Sequence, residues 1–196
     1  MRQLVLRELL PHPIIDVVRP GPAGVDSVEH ATYTNAETNA LFKRSNAWLV
    51  PTMVAPHAAV AQARAGARSK ATLAKAEETI AVHNDNIAKA IKDGVRIAFG
   101  TDSGVSDHGK NAREFALLVK AGMTPAAAIR AATLDAATLL DRSGQIGSLE
   151  PGKQADIIAV ATSPLDDVTV LERVRFVMRA GVVHVLDGAR QAFPSR

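Results

Sequence analysis

The sequence contains no cysteine. That absence excludes disulfide staples, thiolate metal sites and a cysteine nucleophile together, so any metal must be held by His, Asp or Glu. Aromatic residues make up only 4% of the chain, too few to form a stacking platform for bases. The Lys and Arg behind the formal charge of +3 are interspersed with Asp and Glu, and without a basic patch nucleic acid is not an expected partner. No stretch approaches the roughly 18 apolar residues that a membrane span requires. The opening MRQLVLRELLPHPIID also lacks the basic head, apolar run and small-residue cleavage site of a secretion signal. The expectation is a cytoplasmic protein with no membrane partner. No Gly-rich phosphate loop or G-x-S-x-G nucleophile turn occurs either.

What is present is an alternation. The 196 residues, 47% of them hydrophobic, suffice for one core. From about Val25 onward, short β-rich runs alternate with longer helical patterns, the signature of βα units around a parallel sheet. The run VDSVEHA reads as a strand, followed by the helix NAETNALFKRSN, for which Asn35 and Thr38 offer capping oxygens. WLVPTMV reads as the next strand. Residues 58 to 93, rich in Ala, Lys, Glu and Arg, then predict one or two helices closed by Gly94. GVRIAFG predicts a third strand, followed by the helices NAREFALLVKAG and TPAAAIRAAT, with Thr124 and Pro125 as a helix start and Thr133 as the cap of a further short helix. Beyond Gly144 the apolar period shortens to two between Pro-Gly and Ala-Gly turns, which predicts antiparallel β structure. The first 23 residues stand apart. Pro11, Pro13, Pro20 and Pro22 with Gly21 exclude a long helix or a central strand there.

Chemistry-bearing residues cluster after the predicted strands, the end at which a parallel β/α barrel exposes its catalytic groups. Asp102 lies two residues past an apolar strand on a Gly-Thr turn. A carboxylate there can ligate a divalent cation and accept a proton, or it can simply cap the next loop. His30 occupies the equivalent place in its own unit, next to Glu29, where it is either a metal ligand or a structural histidine. His108, in the loop after Asp102, and His57, after the second strand, are candidates for substrate contact, with a solvated loop role as the alternative. His83 in a helical run and His184 in the β tail read as structural.

With these residues in view, the chain resembles the amidohydrolase superfamily, specifically its imidazolonepropionase-like and Xaa-Pro dipeptidase-like branch. GVDSVEHATY looks like that branch's sixth barrel strand, WLVPTMV like the seventh and GVRIAFGTDSG like the eighth. HGKNAREFALLVKAGMTPAAAIRAAT resembles the loop and helices that follow, and IGSLEPGKQADIIAVATSPLDDVTVLERVRFVMRAGVV the returning strands of the small β-sandwich beside the barrel. The resemblance implies an α/β fold: the C-terminal part of a TIM-type (β/α)8 barrel over 24–143 and a β-rich sandwich tail over 144–196, with an atypical segment over 1–23. It implies hydrolysis of an amide, peptide or cyclic amide by a metal-activated water. His30 and Asp102 would be metal ligands, Asp102 the proton carrier, and His108 a substrate contact; His57 stays a weaker candidate for such contact on its position alone. The implied cofactor is a divalent metal, zinc first, with manganese or iron compatible.

The family pattern also has parts that this sequence does not show. No His-x-His pair occurs anywhere, and no lysine can be assigned to the bridging position of the fourth strand. His12 falls at the spacing of a fifth-strand ligand, but in the setting LLPHPIID, and VVRPGPAG stands where an alanine-rich helix is implied. With two ligands where zinc sites take at least three, metal is expected to bind weakly or not at all. The alternative to an active hydrolase is therefore an inactive remnant, or a fragment that needs a partner chain to complete the barrel. Exposed strand edges predict self-association or such a partner.

Overall fold

The structure, a computed structural model, describes residues 3–4, 25–67 and 70–192; His12 and the proline-rich stretch lie outside them. The first sheet is parallel, with β1 (Gln3–Leu4), β2 (Ser27–Glu29) and β3 (Trp48–Val50) in that order. Gln3 pairs with Ser27, and Ser27 with Trp48. The predicted third strand runs on the far side of β3, where Leu49 bridges Ile97 in parallel. It is shorter than its apolar run suggested, held by Leu49 N–H to the Arg96 carbonyl and Ala98 N–H to the Leu49 carbonyl. Helices return between the strands, so this part of the fold is a segment of a β/α barrel, as expected.

WLVPTMV stops being a strand earlier than its sequence suggested. Pro51 has no N–H to continue the ladder, Thr52 turns at φ 51°, and Val54 already opens a helix. The helices are α1 (Ala36–Ser45), α2 (Val54–Gln62), α3 (Lys70–Lys92), α4 (Arg113–Lys120), α5 (Pro125–Arg130) and α6 (Ala136–Leu139). At α1 the expected caps form a capping box. Asn35 Oδ1 accepts from Thr38 N–H at 2.9 Å, and Thr38 Oγ1 accepts from Asn35 N–H at 2.8 Å. Thr124 Oγ1 accepts from Ala127 N–H at the start of α5. Thr133 does not cap a new helix; a π-type turn over Ala131–Asp135 carries the chain from α5 into α6, and the Thr133 hydroxyl donates backward to the Ile129 carbonyl. The stretch 58–93 divides into α2 and α3 at Gly66, whose φ of 86° breaks the helical path.

Alternation along β3 separates two apolar faces. Leu49 joins Val28, Phe42, Ile87, Ile97 and Leu118 in the main core, whereas Trp48 and Val50 face the other way with Ala98. Arg96 stacks over the Trp48 ring at 3.7 Å and donates to the Asn46 carbonyl, which fixes the entry to β3. Gly100 is required by this packing, since a Cβ there would collide with the Val50 side chain.

The second sheet is antiparallel, in the order β4 (Ile157–Ala159), β5 (Phe176–Arg179), β6 (Val182–Leu186), β7 (Ala189–Arg190), as the period-2 pattern predicted. A 3-10 turn over Val168–Glu172 links it to α4, with Val168, Val170 and Leu171 buried and Arg113 3.7 Å from Glu172.

Candidate functional site

The ends of β2, β3 and the third strand each carry residues in the left-handed backbone region. His30 and Ala31 follow β2 at φ 65° and 51°, Thr52 follows β3 at 51°, and Asp102 follows the third strand at 49°. None is glycine, and for the β-branched Thr52 this conformation is a true outlier. Such strain, on the order of 1–3 kcal/mol per residue, persists only where surrounding structure over-determines it, and it concentrates at functional sites.

The structure shows what holds each turn. After β2, α3 supplies two ties: Asn86 Nδ2 donates to the Thr32 carbonyl at 3.0 Å, and His83 Nδ1 lies 3.2 Å from Thr32 Oγ1. After β3, α4 supplies Glu114, whose two oxygens accept from Met53 N–H at 2.9 Å and Val54 N–H at 2.8 Å. After the third strand, the Asp102 carbonyl accepts from Val105 N–H, while Gln62 of α2 donates to the Val105 carbonyl.

His30 and Asp102, the two predicted ligands, line one cavity of about 750 Å³ with Thr32, Pro56, Lys75 and His83. His30 Nδ1 sits 2.6 Å from Thr52 Oγ1. The Thr52 hydroxyl also lies 2.8 Å from the Pro51 carbonyl, which can only accept; donation there makes the hydroxyl an acceptor for His30 and puts the ring proton on Nδ1. Nε2 then keeps its lone pair, the state in which imidazole ligates a cation.

His57 and His108 do not join this cavity. His57 lies in α2, with Nε2 3.3 Å from Asn84 Oδ1, and lines a neighbouring cavity with Lys110, Arg113 and Glu172. Burial lowers its pKa. His108 is exposed in the turn that Lys110 N–H closes onto the Asp107 carbonyl.

Two residues that the sequence did not single out as functional are buried at the site. His83 is 1% exposed, and burial, with smaller contributions from His30 and His57, lowers its pKa to about 4. A backbone contact with Pro51 opposes that shift, although Nε2 reaches no partner at full hydrogen-bond geometry among the described residues. Glu114 is 0% exposed, and burial raises its carboxyl to about 7 against the opposing pull of its two backbone donors. Helical spacing placed His83 on α3, but its inward face needed the tertiary structure. Glu114 stands in an amphipathic helix at a position whose polarity was the available signal.

As ligand types, one imidazole with a free Nε2 and one carboxylate fit a divalent cation of the zinc, manganese or iron kind. They are two members of a set, since no group of three His, Asp or Glu residues close enough to hold a metal occurs among the described residues. No helix among the described residues is long and apolar enough to cross a membrane.

Comparison with known proteins places this geometry. The model of the amidohydrolase family matches residues 21–184. Ochratoxinase from Aspergillus niger is 33% identical over 170 residues, which cover 86% of this chain and 34% of that protein. The crystal structure of a Xaa-Pro dipeptidase with methionine in its active site superposes with a TM-score of 0.77 at 38% identity, covering 83% of this chain and 40% of that one. The crystal structure of A. niger ochratoxinase gives 0.72 at 30% identity, covering 88% and 39%. The chain thus spans between a third and two fifths of the length of these relatives. With a family model matched over most of its length and a barrel segment in its fold, the chain belongs to the amidohydrolase family.

Proposed function

We propose that this chain carries one side of a hydrolytic site that cleaves a C–N bond (amide, peptide or cyclic amide) in a small substrate, with His30 and Asp102 as ligands of a divalent cation. The observation that carries the reading is that these two residues, each on a strained strand-end turn, share one cavity while Thr52 leaves His30 Nε2 free. Similarity to a Xaa-Pro dipeptidase supports a peptide-like substrate. When bound, the cation supplies Lewis-acid polarisation of the scissile carbonyl and makes water nucleophilic near neutral pH.

The protein's own residues do the rest. Asp102, exposed at the mouth of its turn, takes a proton from the attacking water and returns it to the departing nitrogen. Thr52 holds the His30 ring in one tautomer. His108, from the exposed turn after the third strand, and His57, from α2 and the neighbouring cavity, are read as substrate contacts. Residues 24–143 are read as the catalytic unit and 144–196 as the sandwich tail, with Gln3–Leu4 of the preceding segment adding a short parallel strand to the barrel sheet.

A second reading, that the chain is inactive unless another chain or segment completes the site, is favoured by the two-membered ligand set. Zinc titration of the purified protein, with its oligomeric mass, separates the two. Weak zinc binding abolished by His30→Ala and Asp102→Asn, with hydrolysis of a Xaa-Pro dipeptide falling about 100-fold or more in Asp102→Asn, supports the first. Zinc binding equal in wild type and both variants sinks the assignment of these ligands. A metal-free, inactive oligomer establishes the second.

A further inference from the structure

We propose that Glu114 is a positioning residue that sets the tautomer and orientation of His30 by acting as a detached cap for α2. The first turn of a helix presents N–H groups without intrahelical partners. At α2 the capping position is occupied by Met53, whose side chain makes no cap hydrogen bond. Glu114 fills that role from another helix, giving one oxygen to Met53 N–H and the other to Val54 N–H.

Placing a carboxyl group at 0% exposure is costly, and an apolar residue would serve the packing of α4 as well. What the carboxyl secures is the turn immediately before the two amides. Thr52 sits there at φ 51°, a conformation that a β-branched residue leaves unless its neighbours are fixed. Its carbonyl accepts from Ala55 N–H at 3.1 Å inside the same first turn. In this conformation the Thr52 hydroxyl reaches Pro51 O and His30 Nδ1 together. Relaxation of Thr52 to an ordinary backbone angle would swing the hydroxyl away, and His30 would lose the acceptor that fixes its proton. The chain of dependence runs from Glu114 through the Met53 and Val54 amides to Thr52 and then to the ring.

The effect on cation binding rests on the proposed function above, whereas the tautomer of His30 does not. The test is long-range 1H–15N correlation spectroscopy of the histidine rings in the labelled, metal-free full chain, with amide hydrogen exchange on the same samples. In wild type, His30 should show a protonated Nδ1 and a bare Nε2. Glu114→Gln keeps one acceptor oxygen but turns an NH2 toward the second amide. It should yield mixed His30 tautomers, with Met53 and Val54 amides exchanging about tenfold faster or more. Thr52→Val should mix the tautomers while the two amides stay protected, and Thr52→Ser should restore the wild-type spectrum.

If Glu114→Gln does not fold, Glu114→Asp, which withdraws the carboxylate by one methylene, is measured in its place. Faster amide exchange with an unchanged His30 spectrum in either variant overturns the inference and leaves Glu114 a plain helix cap. Zinc affinity on these samples is scored separately. Mixed tautomers with unchanged affinity would sink the cation reading of His30 and leave the Glu114 inference standing.

Discussion

The barrel segment and the tail sheet differ in how they bury apolar side chains. In the barrel segment Phe42, Leu49, Met53, Ile87 and Leu118 are all below 2% exposure, gathered between the parallel strands and the helices outside them. Among the described residues of the tail the buried apolar ones are Val168, Val170 and Leu171, all on the 3-10 turn near α4, while Leu149 is 76% and Leu165 58% exposed. A sheet is stabilised by covering one face with a second layer. The barrel strands have that layer in α1, α3, α4 and α5; among the described residues, the tail meets α4 through the 3-10 turn at Val168–Glu172. We infer that stability resides in the first region, and that the second gains most from whatever covers it.

The largest expected effect lies in the barrel core. Phe42→Ala removes a ring at 1% exposure from the cluster that also holds Leu49 and Ile87, and should cost about 3–5 kcal/mol. Chemical denaturation measures it. A cost near 1 kcal/mol would mean that the core relaxes around the hole, and the contrast between the two regions would weaken.

The next effect is a pH dependence set by the two buried groups of the same region. For metal-free protein, His83 has a folded pKa of about 4, below its ordinary 6.5. Its contribution is fully present above about pH 6.5 and is lost as pH falls through 4. Glu114 has a folded pKa of about 7, above its ordinary 4.5. Its contribution is fully present below about pH 4.5 and is lost as pH rises through 7. Each displacement corresponds to about 3 kcal/mol across its window. Between roughly pH 4.5 and 6.5 the two slopes oppose each other, so wild-type stability should be nearly flat there. His83→Asn should become more stable on acidification across that window, and Glu114→Gln less stable. Denaturation midpoints at a series of pH values test both signs, and parallel curves for the two variants would refute the assignment.

Much of this was legible in the sequence, for reasons that vary with the element. The capping box of Asn35 and Thr38 and the start at Thr124-Pro125 are local chemistry, and both formed. Strand lengths were less legible. WLVPTMV is apolar throughout, but the missing N–H of Pro51 and the demand of Met53 and Val54 for an acceptor end it at Val50. Thr133 illustrates the opposite error, since its hydroxyl found a carbonyl behind it and the helical path continued. The placement of His30 and Asp102 at strand ends was readable, because a strand end is an address. Glu114 was not, because its partners at Met53 and Val54 are remote in sequence and no spacing rule connects them.

The smallest effect carries the sharpest test of the comparison. Leu149 stands in the turn that precedes the tail sheet and is 76% exposed, so Leu149→Ala loses little buried area in the isolated chain and should change stability by no more than about 0.5 kcal/mol. That holds only while the surface stays uncovered. Association that buries this face would make apparent stability rise with protein concentration, because binding the folded form alone adds to it by mass action. Measuring Leu149→Ala and wild type at two protein concentrations therefore asks a question that a single denaturation curve does not. A difference that stays within about 0.5 kcal/mol at both keeps the tail a single open layer. A difference that grows with concentration would place a second copy over it, and the low burial of the tail would then belong to the monomer alone.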